Sequence, residues 1–396
     1  MFILRAIAES ARLTVYRLNN TCYISGEVES LSRKRVTSFD VAKLAGVSRS
    51  VVSAVLNDTQ GIGVSSEKRE AVLAAIRELN YHVDAQARAM KTGQSRSIAA
   101  FGDIRNPLFL QVLEGMQRTC GERGYHLLIS GQGGQEEGRS ELIKLFLARK
   151  IDGIVSLDKV SYADEAWLEE VRQSRVPYVS VEGYAETAGV VSVLADYRRS
   201  VTDLLDILHP PERGGELPVY IQLYHGGSRE NWAERGREEA YRDWCAARGA
   251  DPVIFPVEER RPDAVLTLVQ DLAQRSIGIP VLLCNWSAGA IAVYRAAHTL
   301  GLEVGRAIRV AAADNTLRAA SHLVPRLSAM EIPYVRMGEQ AVTCLLEMLE
   351  GHKNVREIDA PGGFRTREEG VAPAGDGAES AQKYWLYADY LPGESC

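Results

Sequence analysis

The sequence predicts an α/β protein: a small N-terminal all-α helix-turn-helix head, then a two-lobed body of doubly wound parallel sheets. Three observations predict it. Between Val36 and Leu79, apolar residues recur at helical spacing, punctuated by capping residues and one glycine. From Ser97 onward, short apolar runs alternate with amphipathic stretches, the pattern of parallel strands joined by helices. The chain has 396 residues, 46% of them hydrophobic, enough for a head and a large body with its own core.

The head is read from VTSFDVAKLAGVSRSVVSAVLN, residues 36–57. Thr37 or Ser38 can cap a first helix through Asp40, Val41, Ala42, Leu44 and Ala45. Gly46 supplies the backbone freedom that a tight inter-helix turn needs. Ser48 can cap a second helix, on which Val51, Val52, Val55 and Leu56 form the apolar stripe. Arg49 and Ser50 then point outward, at positions that reach base edges in a DNA-reading helix-turn-helix. The same two-helix unit also serves as plain packing in helical proteins. A third helix starts at Ser65 or Ser66, with Glu67 in its first turn and Val72, Leu73, Ile76 and Leu79 on one stripe. Asp84 to Lys91 is a short helix-capable segment.

Charge separates head from body. Residues 33–96 carry 11 Lys/Arg and 6 Asp/Glu, a balance of +5. The chain's net charge of -6 leaves -11 for the rest. A basic head on an acidic body suits a phosphate-contacting module on a sensor.

In the body, Ser97–Phe101 predicts a first strand and Leu110–Gly124 a helix. Strand Tyr125–Ser130 and helix Glu137–Arg149 follow, then strands Ile151–Leu157 and Val176–Val181. Val191 to Tyr197 reads as a loop. Further strands are expected at Val219–Leu223, Pro280–Cys284 and Ile308–Ala312. Two such halves place a ligand cleft between lobes, at the C-terminal ends of the strands.

Several function classes lack their signatures. There is no GxSxG elbow and no Walker loop, and Gly131-Gln-Gly-Gly134 lacks the third glycine of a dinucleotide fingerprint. The seven His and six Cys are scattered without metal spacing or CxxC pairing, so no cofactor and no metal site are expected. No apolar run approaches ~18 residues, and Arg5 and Glu9 interrupt the signal-like opening, so the expectation is a cytoplasmic protein without membrane contact.

From about Arg35 to Ser97 the chain resembles the head and hinge of the lactose-repressor (LacI/GalR) family. The resemblance rests on Thr37, Asp40-Val-Ala, Ala45-Gly-Val-Ser48, Val52-Ser53, Val55-Leu-Asn57, Val64-Ser, Arg69, Val72, Ala75-Ile, Leu79, Tyr81, Ala87-Arg88 and Lys91-Thr-Gly93. It continues more weakly to about residue 372. It implies a periplasmic-binding-protein-like body and a transcriptional regulator, in the first instance a repressor. Such a regulator binds a palindromic double-stranded operator as a homodimer, with a tetramer as the larger alternative. Leucine-rich helices at Glu141–Arg149 and Met337–Glu350 are candidates for the dimer interface.

The resemblance also assigns residues. Arg49 and Ser50 contact bases, Arg being suited to guanine O6 and N7, and Val51 packs on a thymine methyl. Ala54 stands where many members carry a reading arginine. Ser38, Ser48, Ser53 and Asn57, with Lys43 and Lys68, are candidates for phosphate contacts, and Thr37 lies on the same surface. Asp84–Lys91 is the hinge helix; Ala87 and Met90 meet DNA, Met90 as an apolar wedge in the minor groove. In the cleft, Asp103, Asn106, Phe109, Glu182, Arg237, Asn285 and Asp314 match ligand-facing positions. Carboxylates, amides and a guanidinium there favour a sugar or related polyol as the effector.

The departures are specific. Trp286 replaces a usual aspartate and either stacks on a pyranose or nucleobase or fills space behind the site. Arg198-Arg199 stand where small residues are usual and raise a phosphorylated or acidic ligand as the competitor. The domain reading is therefore an N-terminal extension over 1–35 (an arm, a disordered segment or an upstream start read through), the head at 36–82 and a hinge at 83–96. The effector-binding and dimerisation body covers 97–373, and a C-terminal extension covers 374–396, which either packs back as a strand or meets a partner. The competing function is a small-molecule-binding protein or enzyme with a merely structural head.

Overall fold

The computed structural model describes residues 14–18, 21–25, 36–56, 64–81, 93–131, 135–158, 164–184, 187, 189–210, 217–224, 232–258, 262–276, 278–351 and 383–396. They fall into two compact units, Met1–Ala87 and Arg88–Cys396.

In the first unit, β1 (Thr14–Leu18) and β2 (Thr21–Ser25) form an antiparallel hairpin, so part of the N-terminal extension has regular structure. The head follows as α1 (Ser38–Ala45), α2 (Arg49–Leu56) and α3 (Ser66–Glu78). Local chemistry sets these boundaries. Thr37 precedes α1, its N–H and hydroxyl donating to Asp40 Oδ2 at 2.8 and 2.7 Å. Gly46 ends α1 at φ 64°, a left-handed conformation that glycine adopts without a Cβ penalty. Ser48 Oγ accepts the Val51 N–H at 3.4 Å and Ser65 Oγ the Lys68 N–H at 3.4 Å, starting α2 and α3. Val41, Ala42, Val52, Val55, Val72 and Ala75 form the head's core.

The second unit has two lobes, each built on a six-stranded sheet. The N-lobe elements are β3 (Ser97–Phe101), α4 (Pro107–Glu122), β4 (His126–Ser130), α5 (Gln135–Leu147), β5 (Gly153–Leu157), α6 (Glu165–Ser174), β6 (Tyr178–Val181) and β7 (Val191–Ala195). The C-lobe elements are α7 (Tyr197–Leu208), β8 (Val219–Tyr224), α8 (Trp232–Ala246), β9 (Ile254–Glu258), α9 (Pro262–Arg275), β10 (Val281–Cys284), α10 (Ser287–Thr299), β11 (Arg309–Ala312) and β12 (Ser328–Glu331). The chain then returns through α11 (Tyr334–Leu349), and β13 (Lys383–Leu386) and β14 (Asp389–Leu391) finish one sheet each.

The N-lobe sheet runs β13-β7-β6-β5-β3-β4 and is wholly parallel. The C-lobe sheet runs β14-β12-β11-β10-β8-β9, antiparallel only at β14. This is the doubly wound body expected, with helices covering both faces.

Two details differ from expectation, and a third realises one of the alternatives left open for the C-terminal segment. Val191 to Ala195 is a strand, not a loop, paired in parallel with both β6 and β13. The segment 383–396 is part of the body: it packs back as two strands, one in each lobe. Met337 to Glu350 is no surface interface, because α11 lies in the N-lobe core with Met337, Ala341, Val342 and Leu345 buried. Its approach to α4 needs two glycines. A Cβ at Gly115 would lie 1.8 Å from the Val335 carbonyl oxygen, and one at Gly338 2.0 Å from that of Val112.

The chain crosses between lobes three times: at Asp196 after β7, at Ile332–Pro333 after β12, and at Tyr387–Ala388 between β13 and β14. A three-stranded hinge of this kind lets two rigid lobes rotate about one line.

Candidate functional site

The head offers one face. Val52, Ala54 and Val55 turn inward on α2, which leaves Arg49 and Ser50 exposed in its first turn and Val51 half-buried beside them. Thr37, Ser48, Lys43 and Lys68 are exposed and Ser38 half-buried; all but Lys43, which lies in the last turn of α1, stand near helix starts, where unpaired N–H groups favour phosphate. Ser53 is half-buried. Ala54 is 4% exposed, so that position cannot present a reading side chain. Phe39, unremarked in the sequence, is 60% exposed in the first turn of α1, a large apolar group at the surface of the head. Asn57, Ala87, Met90 and the rest of the expected hinge helix, Asp84–Lys91, lie outside the described residues.

In the second unit the strand ends converge on a cleft closed over Arg237. This side chain, on α8, has 0% exposure. Its Nη1 donates to Glu234 Oε1 at 2.5 Å, one turn back on the same helix. Its guanidinium carbon lies 4.0 Å from the Tyr197 ring centroid and 4.2 Å from that of Trp286. Trp286 therefore stacks on the arginine, an outcome distinct from both roles expected for it. Cation–π contacts of this kind strengthen when water is excluded. Nε and Nη2 of Arg237 have no hydrogen-bond partner among the described residues.

Asn285, at the end of β10, is fully engaged within the protein. Its Oδ1 accepts the Leu223 N–H at 2.8 Å, and its Nδ2 donates to Leu223 O at 2.9 Å and Glu234 Oε2 at 2.6 Å. It ties β8 to β10 and aims Glu234 at Arg237. Asp314, after β11, accepts the Ser287 N–H at 2.6 Å at the start of α10, and the Thr316 hydroxyl at 2.6 Å.

Glu182, after β6, is the most exceptional group. It is fully buried, its φ is 67°, and neither carboxylate oxygen has a hydrogen-bond partner of ordinary geometry among the described residues. Burial pushes its pKa up to about 8 against the opposing pull of the Tyr197 hydroxyl and the Arg237 charge. A non-glycine residue held in the left-handed region with a buried acid of this kind is a candidate functional position.

The lobes meet directly across this cleft. Trp232 Nε1 donates to the Glu182 carbonyl at 3.0 Å, Gln111 Nε2 donates to Thr316 O at 2.9 Å, and Tyr197 and Tyr334 hydroxyls lie 3.2 Å apart.

The other expected ligand residues sit at the edge or behind. Asp103 is exposed and forked by Arg105, with contacts of 3.0 and 2.8 Å that hold its carboxyl at about 2. Asn106 caps α4, its Oδ1 accepting the Leu108 N–H at 3.0 Å. Phe109 is buried against Gly102 in the N-lobe core. The sequence reading missed Tyr197, Glu234, Thr316 and Tyr334. Glu234 carried a signal, three residues before Arg237 on one helix, the spacing of a helical ion pair.

Arg198 and Arg199 are held in ion pairs. Arg198 pairs with Glu239 at 2.7 Å and Asp243 at 2.6 Å, and Arg199 with Asp203 at 3.2 Å. Both already face carboxylates in half-exposed ion pairs.

Among the described residues no group of His, Cys, Asp and Glu could hold a metal ion, and no helix is long and apolar enough to cross a membrane.

Comparison with known proteins bears on both units. Residues 39–84 match the family described as bacterial regulatory proteins, lacI family, and residues 218–368 match a periplasmic binding protein-like domain. The HTH-type transcriptional repressor PurR of Serratia proteamaculans (strain 568) is 28% identical over 329 residues, 81% of this chain and 92% of that protein. The sucrose operon repressor of Pediococcus pentosaceus is 25% identical over 313 residues, 78% of this chain and 91% of that protein. Among solved structures, the lac repressor dimer bound to operator and the anti-inducer ONPF aligns over 91% of this chain and 99% of its own, with TM-score 0.67 and 20% identity. The CelR–cellobiose complex aligns over 91% and 100%, with TM-score 0.53 and 20% identity. These structural likenesses establish the shared fold.

Proposed function

Because this chain belongs to the LacI family of bacterial regulatory proteins, we propose that it is a ligand-responsive transcriptional repressor that reads a palindromic operator as a dimer. The observation that carries the reading is the second head helix: a serine-capped helix with its apolar side buried and Arg49 and Ser50 exposed, inside the segment matched by the family. Arg49 reads guanine through its O6 and N7, while Ser38, Ser48, Lys43 and Lys68 hold the backbone. Dimeric binding follows from the paired half-sites that one head per chain requires. The protein works as a regulator in the cytoplasm and not as an enzyme.

The effector is a small neutral polyhydroxylated molecule, with a sugar as the leading candidate. Glu182 and Arg237 Nε and Nη2 supply acceptors and donors at the cleft. Carboxylates outnumber the single buried guanidinium, which disfavours an anion. Effector binding alters the contacts that hold the lobes closed, and that change reaches the head as a reciprocal coupling free energy.

The test is a footprint of the full-length protein on the upstream regions of its own genome, with and without a panel of sugars. The proposal requires a protected near-palindrome whose occupancy falls with salt and shifts with one sugar. Binding without any preferred site removes it.

A further inference from the structure

Beside the hinge, outside the closed cleft, lies a groove of 540 Å³. That volume falls in the roughly 300–1,000 Å³ range of small-molecule sites. Trp232, Trp385 and Tyr387 form its aromatic walls, and Asp196, Arg198, Arg199, Arg235, Glu239 and Asp243 its polar lining.

The chemistry of the lining is balanced: three guanidinium groups face three carboxylates. Glu239 and Asp243 are spent on Arg198, at 2.7 and 2.6 Å, and Asp196 Oδ1 accepts the Arg199 N–H at 2.9 Å. Arg199 lies flat on Tyr387, 4.4 Å from the ring centroid. Such a surface has no net charge to attract an ion. It offers fixed donors and acceptors beside ring faces, the combination that takes hydroxyls at one edge and C–H faces at the other.

The groove also straddles the hinge. Trp385 belongs to β13 in the N-lobe, Asp196 and Tyr387 stand at two of the three crossings, and the remaining residues come from α7 and α8 of the C-lobe. Two of its walls are shared with the cleft. Tyr197 faces Arg237, and Trp232 holds the Glu182 carbonyl.

From this we infer that the groove is a second binding site, for a neutral carbohydrate, distinct from the cleft around Arg237 and Glu182. A ligand there touches both lobes and the hinge, so its occupancy and lobe closure depend on one another.

The test is isothermal titration of the full-length protein with maltose, sucrose, cellobiose and trehalose, and with glucose 6-phosphate and glucuronate as anionic counterparts. Three variants accompany the wild type. Gly236→Trp fills the groove from α8, where a Cβ would already lie 3.3 Å from Arg198 Cγ. Tyr387→Ala removes a wall. Glu182→Gln alters the cleft and leaves the groove intact. Thermal melts check that each variant is folded, and either groove variant suffices if the other is not.

The expected result is saturable binding of at least one neutral disaccharide, retained in Glu182→Gln and weakened about tenfold or more by the groove substitutions, a loss well resolved by titration. The inference is overturned if no neutral sugar saturates below about 10 mM, a range that still detects weak sites. It is equally overturned if neutral binding is lost in Glu182→Gln alone, or if the anionic sugars are the ones that the groove substitutions displace.

Discussion

Replacing Arg237 by methionine tests the centre of the body most directly. Methionine keeps much of the aliphatic stem and removes the guanidinium. In the parent, that group is enclosed by Glu234, Tyr197 and Trp286, and the ion pair has side-chain exposures of 0% and 4%. Removing it leaves Glu234 buried with the Asn285 amide at 2.6 Å and no opposite charge from Arg237. Breaking a buried pair from one side costs about 3–5 kcal/mol. The two ring contacts are part of that loss rather than an addition to it, since coupled contacts do not sum. For a body of this size, about 2 °C of melting temperature per kcal/mol gives a fall of roughly 6–10 °C. Differential scanning calorimetry on the full-length protein measures it. The double variant with Glu234→Gln removes the stranded charge and should recover about 1–3 kcal/mol relative to Arg237→Met alone. A single variant that melts within a degree or two of the parent, or a double variant no better than the single, refutes the claim that the pair organises the cleft.

Four further outcomes follow from the same reasoning. Arg49→Ala should weaken operator binding by about 1–3 kcal/mol and relax preference at one base pair of each half-site in a selection assay; uniform loss across all sequences would assign Arg49 to phosphate instead. Ala54→Arg should unfold the head in circular dichroism rather than add a base contact, because overfilling a packed core costs about 1–3 kcal/mol or more. Glu182 takes up a proton on folding, so stability contributed by its neutral form should decline as pH rises from the ordinary carboxyl value of 4.5 toward about 8 and level off above it; urea titrations should show that slope, and Glu182→Gln should flatten it, an unchanged slope being the contrary result. Gly115→Ala should destabilise the N-lobe by about 1–3 kcal/mol or more, since its methyl meets the α11 backbone; unchanged urea midpoints for this variant would falsify the close approach.

What could be read from sequence was whatever local chemistry encodes. Thr37, Gly46, Ser48 and Ser65 mark helix ends through hydrogen bonds or backbone angles within a few residues, and all four appear where expected. Strands β3, β5, β8 and β10 are mostly apolar and were equally plain. β9, β12 and β13 were not, because they carry Pro256, Glu331 and Lys383 and owe their form to a neighbouring strand. The cleft divides in the same way. Glu182, Asn285 and Asp314 follow strands and are buried, as is Arg237 on α8. That Asn285 is consumed by Leu223, 62 residues away, and that Trp286 covers Arg237, depend on tertiary approach that no local pattern carries.

The glycine-lined contact between α4 and α11 also bears on how the molecule is made. Arg118 and Glu339 meet across these helices although 221 residues separate them in the chain. The head, in contrast, is closed by neighbours within a few turns. Contacts of long sequence separation form late, because the loop between them must first be ordered. During synthesis, then, the DNA-reading module can mature while its sensor is still an open, half-finished sheet. A nascent copy can acquire the shape that recognises a base pair well before it can respond to a metabolite.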